Sequence, residues 1–249
     1  AKLKQLKELL DMGAITKEDF EAKKAELLKQ KISPISIFYC PSRRFAENTY
    51  GPEASVNAAQ PADNLLAKTD YAVSGGTSVV SFYAGPSLDC LDKYPNCNWG
   101  PFTPQNIAAN WNGPSMPRYP VPVSLIEDGA SHTLLLGEKF LRPDLYSIAG
   151  GVTINSCSDN NSLFQGYDWD TTRWTNRHPA YLPLPDNAQP TPQNNIGSAC
   201  STRFGSPHSG AFNVAFCDGS VRSLQYSIDG IVWERLGARN DGESVEIPQ

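Results

Sequence analysis

Ala211-Phe212-Asn213-Val214-Ala215-Phe216-Cys217-Asp218-Gly219-Ser220-Val221-Arg222-Ser223-Leu224-Gln225-Tyr226 is the stretch that decides the fold. Apolar side chains alternate with small or polar ones on both sides of Asp218-Gly219, the pattern of two half-buried strands. Asp-Gly is a strong hairpin signal, because a two-residue type I′ turn needs positive φ at both central positions. Read as such a turn, it pairs Phe216 with Val221 and Val214 with Ser223. Phe212, Val214, Phe216 and Val221 then share one face, the expected core side. Downstream, Asp229 is placed to cap a short helix over 230–236, with Ile228 and Trp233 spaced as a hydrophobic staple. Asn240-Asp241-Gly242 reads as a further turn.

Working back from the hairpin, short apolar runs at 36–39, 78–83 and 132–137 read as strands. They are separated by clusters of Gly, Pro, Asn and Ser. The chain has 20 prolines in 249 residues, well above the usual ~5%. Proline removes a backbone donor and fixes φ, so this composition signals many ordered loops. Residues 90–122 and 155–205 carry little periodicity and are expected as long loops, which in compact domains are often functional surfaces.

The first thirty residues differ in kind. They hold seven lysines and six acids, which sets a boundary near residues 31–34. Leu3, Leu6, Leu9 and Leu10 recur at helical spacing. Gly13 suits a helix end, and Thr16 with Asp19 suits a capping box that opens a second helix. Phe20, the Lys24 stem, Leu27 and Leu28 continue an apolar face. Each helix is short enough to need a partner. The expectation is therefore an α+β chain: a helical hairpin over 1–30, then a β-rich body over 33–249.

The net charge of −5 argues against a nucleic-acid partner. No apolar run is long enough for a transmembrane helix, and the start, Ala1-Lys2-Leu3-Lys4, lacks the apolar stretch of a signal peptide. The six cysteines, Cys40, Cys90, Cys97, Cys157, Cys200 and Cys217, form no C-x-x-C pair. Disulfides are the favoured reading, with buried thiols as the alternative. Cys90 with Cys97 is the easiest local pair. A Cys40–Cys217 bridge would tie the early part of the body to the terminal hairpin. Spacing alone leaves 15 connectivities open.

Site by site, the residues give little sign of catalysis. Gly-x-Ser-x-Gly, phosphate-loop and dinucleotide patterns are absent. His208 and Asp218 could suggest acid–base chemistry. However, a strand of that length sets them roughly 25–30 Å apart, so Asp218 reads as a turn residue and His208 as a loop hydrogen-bonder. No zinc-type spacing occurs. Asp168 and Asp170 are weak calcium candidates, and no other cofactor is expected. Trp99, Trp111, Trp169 and Trp174 lie in the loop-rich regions, where aromatics can bind glycan or protein or fill satellite cores. Arg43-Arg44 and Glu138-Lys139 read as structural ion pairs or solvated charges.

Two resemblances follow from ordered blocks. The segment from Leu6 to Leu28 resembles the SHOCT domain, a short helical hairpin associated with oligomerisation or tethering. Residues of about 33–247 resemble the planctomycete pseudopilin-like proteins whose domain ends in His-x9-Asp-Gly, here His208 with Asp218-Gly219. Supporting blocks are Cys40-Pro41-Ser42-Arg43-Arg44, Ala67-Lys68-Thr69-Asp70-Tyr71-Ala72, Asp128-Gly129 and Gly137-Glu138-Lys139. This resemblance implies a pilin-like sheet and an exported cell-envelope protein of periplasmic or surface location, without established chemistry. It makes His208, Asp218, Gly219, Cys40, Pro41, Ser42, Asp128, Gly129, Gly137 and Glu138 motif positions of structural character. The family's prepilin-type leader helix is not seen here. The hairpin stands in its place and would serve in self-association or tethering. The leading expectation is a non-catalytic assembly or surface-interaction protein with protein partners. A glycan- or protein-binding module is the alternative, and a hydrolase without a recognised motif the third.

Overall fold

The computed structural model describes residues 2–51, 63–78, 93, 111–117, 120–147, 157, 159–189, 200–243 and 245–247. Helices α1 (Lys2–Asp11) and α2 (Lys17–Ile32) form the expected hairpin. Gly13 turns the chain at φ +69, where its amide bonds the Leu10 carbonyl. Thr16 Oγ1 accepts from the Asp19 amide and the Asp19 carboxylate accepts from the Thr16 amide, so the capping box is complete. Leu6 is buried, and Lys24 lies over the Phe20 ring. The side chains of Leu3, Leu27 and Leu28 fall outside the described residues.

The body contains β1 (Asn48–Tyr50), β2 (Leu65–Ala67), β3 (Tyr71–Ser74), β4 (Leu134–Glu138), β5 (Thr172–Arg173), β6 (Leu184–Pro185), β7 (Gly205–Ser206), β8 (Ala211–Phe216) and β9 (Val221–Gln225), then α3 (Gly230–Gly237). Five of these strands make one mixed sheet in the order β5-β3-β4-β8-β9, with β3 and β5 parallel and the other neighbours antiparallel. β1–β2 and β6–β7 form small separate ladders. The architecture is α+β, as expected.

The terminal hairpin forms, but in a different register. Gly219 donates to the Phe216 carbonyl and Phe216 donates to Ser220, so the loop is Cys217-Asp218-Gly219, with Gly219 at φ +84. This is a three-residue connection ending in a left-handed glycine. The extra loop residue shifts every pair by one: Ala215 faces Val221, Val214 faces Arg222 and Phe212 faces Leu224. A one-residue slip reverses faces. Val221 is therefore exposed, and Leu224 takes the core place expected of it.

Phe212, Val214 and Phe216 of β8 pack with Leu134, Phe204 and Trp233 in the apolar core. Asp229 caps α3 through the Ile231 and Val232 amides. Both staple residues, Ile228 and Trp233, join this core. Trp233 meets Phe204 and Phe212 edge-on at 5.5 and 5.7 Å. Gly137 sits where an added Cβ would lie 3.0 Å from both Phe204 and Val214, which explains a glycine inside a central strand. Asp128 accepts the amides of Asp241 and Gly242 and so anchors the turn expected at 240–242, while Gly129 turns the chain at φ +96.

One other strand expectation changes. Residues 36–39 hold a 3-10 turn, Ser36–Phe38, with Ile37 largely exposed. Its link to the body includes the Phe38 carbonyl, which accepts from the Asp70 amide. The 78–83 strand falls almost wholly outside the described residues. The region 155–205, expected as loop, contains β5, β6 and two 3-10 turns in its described parts.

A second interior is built from charge. Arg43 Nε lies 2.9 Å from Asp186, Arg44 lies 2.7 Å from both Asp70 and Asp159, and Lys139 Nζ lies 2.8 Å from Asp159, all buried. Burial opposes the Asp159 charge, yet Arg44 and Lys139 outweigh it and hold its carboxyl well below the usual range. Burial also opposes the Arg43 charge, and Asp186 and Asp70 more than offset it. Arg43-Arg44 and Lys139 are thus structural ion pairs.

Candidate functional site

Three residues from distant parts of the sequence meet beside this charged interior. The Cys40 Sγ, a Glu138 carboxylate oxygen and a His208 ring nitrogen lie within 4.8 Å of one another. The fold explains the meeting. Glu138 ends β4, and antiparallel pairing of Leu134 with Phe216 and Gly137 with Val214 brings that end beside the residues that precede β8. His208 is among them. Cys40 follows the 3-10 turn and is fixed by its amide, which donates to Asp70 Oδ2 at 2.8 Å.

Each donor is held by the main chain or an ordered neighbour. Glu138 Oε2 accepts the Asn213 amide at 2.7 Å, and Oε1 lies 3.5 Å from His208 Nε2. The His208 amide donates to Ser206 Oγ, and its carbonyl accepts the Tyr226 hydroxyl at 3.0 Å. Cys40 and Glu138 are buried, whereas the His208 side chain is 39% exposed. Burial pushes the Cys40 thiol up; the Ser42 amide opposes this and the Glu138 carboxylate adds to it. A raised thiol disfavours a free thiolate nucleophile. Sulfur, nitrogen and carboxylate donors converging from three segments make a set able to coordinate a metal ion.

The other expected positions are placed as follows. Asp218 lies in the hairpin loop at the far end of β8 from His208, so the two do not share a site; its side chain accepts the Ser220 amide. Pro41 and Ser42 form an exposed turn after Cys40. Asp170 is buried, accepts the Asn161 amide and lies close to Lys139. Asp168 accepts the Asp170 amide. Both carboxylates bond loop amides, and among the described residues neither belongs to a cluster of three or more metal-ligating side chains.

Trp174 and Trp111 are buried, and Trp174 packs on the half-buried Trp169 at 5.1 Å. Trp111 and Trp174 are thus almost wholly withdrawn from the surface that an outside ligand would meet. Trp99 lies outside the described residues, as do Cys90 and Cys97. Cys157 and Cys200 are joined by a disulfide. Cys40 and Cys217 are free, which corrects the bridge considered between them. Cys40 sits at the His208 end of β8 and Cys217 follows the opposite end, so the strand separates them by roughly 20 Å.

Sequence reading picks out Cys40, Glu138 and His208 individually and sets His208 apart from Asp218, but does not bring the three together. The missing signal was the β4–β8 partnership, which leaves no spacing rule in the sequence.

A family model described as "Protein of unknown function (DUF1559)" matches residues 5–230, and the chain belongs to that family. No curated protein matches the chain, and no solved structure does.

Proposed function

We propose that this member of the family is a non-catalytic, pseudopilin-like protein of the cell envelope, acting in assembly or surface interaction outside the cytoplasm. The observation that carries the reading is the Cys157–Cys200 disulfide, buried at both ends. Such bonds form and persist in oxidising compartments and are rare where thiols are kept reduced. The His-x9-Asp-Gly resemblance over 33–247 points the same way. Among the described residues no helix is long and apolar enough to cross a membrane. The aromatic-loop alternative is weakened by the burial of Trp111 and Trp174.

Labelling of intact native cells with a membrane-impermeant amine reagent tests the location. Exposed lysines such as Lys7 and Lys17 supply targets. Labelling of the chain in unbroken cells is expected. Labelling only after lysis, alongside a cytoplasmic control, would contradict it.

A further inference from the structure

We propose that Cys40, Glu138 and His208 bind a divalent transition-metal ion of the zinc class, with a fourth coordination position open on the side where His208 meets solvent.

The donor set selects the ion. Calcium and magnesium take oxygen ligands, whereas thiolate with imidazole and one carboxylate is the mixture that zinc and its neighbours accept. The spacing agrees. Metal bonds of about 2.0–2.3 Å in a tetrahedral site put neighbouring donors roughly 3.3–3.7 Å apart. His208 Nε2 and Glu138 Oε1 are already 3.5 Å apart, long for a hydrogen bond but at the separation two ligands of one ion would have. Closing Cys40 onto the same ion needs a contraction from within the 4.8 Å limit, which a side-chain rotation can provide.

The surroundings are those of a supported site. Ligating carboxylates are normally hydrogen-bonded on their free oxygen. Here Oε2 of Glu138 takes the Asn213 amide, which leaves Oε1 directed at His208. The main chain of His208 is clamped by Ser206 and Tyr226, and that of Cys40 by Asp70. Charge also fits. Arg43, Arg44 and Lys139 nearby are engaged by Asp70, Asp159 and Asp186, while the Glu138 carboxylate faces His208. A divalent ion would balance the Glu138 carboxylate and a Cys40 thiolate together. Three protein donors with one position open is the arrangement that admits water or an outside ligand, in contrast to closed four-ligand structural sites. Ligation would also keep a buried thiol reduced in a chain that elsewhere forms a disulfide.

The test is metal binding by the whole chain, purified without chelator. Elemental analysis should find about one zinc per chain after zinc loading and dialysis. Cobalt(II) loading should give a sulfur-to-cobalt charge-transfer band and the intense visible bands of a four-coordinate ion. Cys40→Ala should abolish the charge-transfer band. His208→Ala, at a half-exposed position that should leave the fold intact by circular dichroism, should weaken binding by more than the roughly 10–100-fold that an outer-shell loss costs. Absence of bound metal would overturn the proposal. So would cobalt bound by the unaltered chain without a sulfur band, which needs no variant to fold. Unchanged binding in a folded His208→Ala chain would do the same.

Discussion

The body has two interiors that meet along β4, and they are made by opposite means. On the β8–α3 side, Phe204, Phe212, Phe216, Leu224 and Trp233 exclude water by shape and area. At the other, beyond the Glu138 end of β4, Arg43, Arg44, Asp70, Lys139, Asp159 and Asp186 are as deeply buried but hold together by charge. The first kind degrades gradually, because each lost methylene removes a little transfer energy. The second kind is close to all-or-none. Removing one member leaves its partners charged, desolvated and unpaired. The fold is therefore most vulnerable in its ionic half, where the metal-binding candidates also sit.

The largest effect should come from Asp159→Ala, which takes from Lys139 the carboxylate it pairs with and from Arg44 one of its two, leaving Asp70. A loss of about 3–5 kcal/mol is expected in urea unfolding, and a loss below that of an ordinary surface substitution would break the contrast. Replacing Cys157 and Cys200 together by alanine should cost about 2–4 kcal/mol, read as a lower thermal midpoint. Next comes a pH effect. Burial depresses Lys68 to about 8, below the roughly 10.4 of an unfolded chain. Between those values the unfolded chain holds the extra proton, so this group makes stability rise with pH. Lys68→Met should remove that rise, by at most about 1.4 kcal/mol per pH unit. A smaller loss, about 1 kcal/mol, is expected for Asp229→Ala at the α3 cap. The smallest, within about 0.5 kcal/mol, belongs to Val221→Ser on the exposed face. That result sharpens the register, since a two-residue turn would have made Val221 a core residue.

Much of the apolar half could be read in the sequence. The hairpin strands, the Asp229 cap and the Ile228–Trp233 staple follow from local periodicity and turn chemistry. The register slipped because Asp-Gly serves both two- and three-residue connections, and only the Phe216–Ser220 pairing distinguishes them. The ionic half is legible only in part: Arg43-Arg44 and Glu138-Lys139 can be read as ion pairs or solvated charges, but their partners cannot. Arg43 and Asp186 lie far apart in sequence, and a charged residue is ordinarily a surface residue; nothing local announces that it will be buried with a partner. The candidate site falls between these cases. Cys40, Glu138 and His208 each stand in a recognisable block, yet their convergence depends on β4 pairing with β8, a long-range contact no local pattern encodes. The short strands β1, β2, β3, β5, β6 and β7 escape the sequence reading because two to four residues carry too little periodicity.

The extracytoplasmic reading is tested most directly by the thiol state of the chain in its native cells, trapped by rapid alkylation under denaturing conditions and mapped by mass spectrometry. It predicts Cys157 and Cys200 recovered as one cross-linked peptide pair, with Cys40 and Cys217 alkylated as thiols. Recovery of Cys157 and Cys200 as alkylated thiols would place the chain in a reducing compartment and contradict the proposed envelope role.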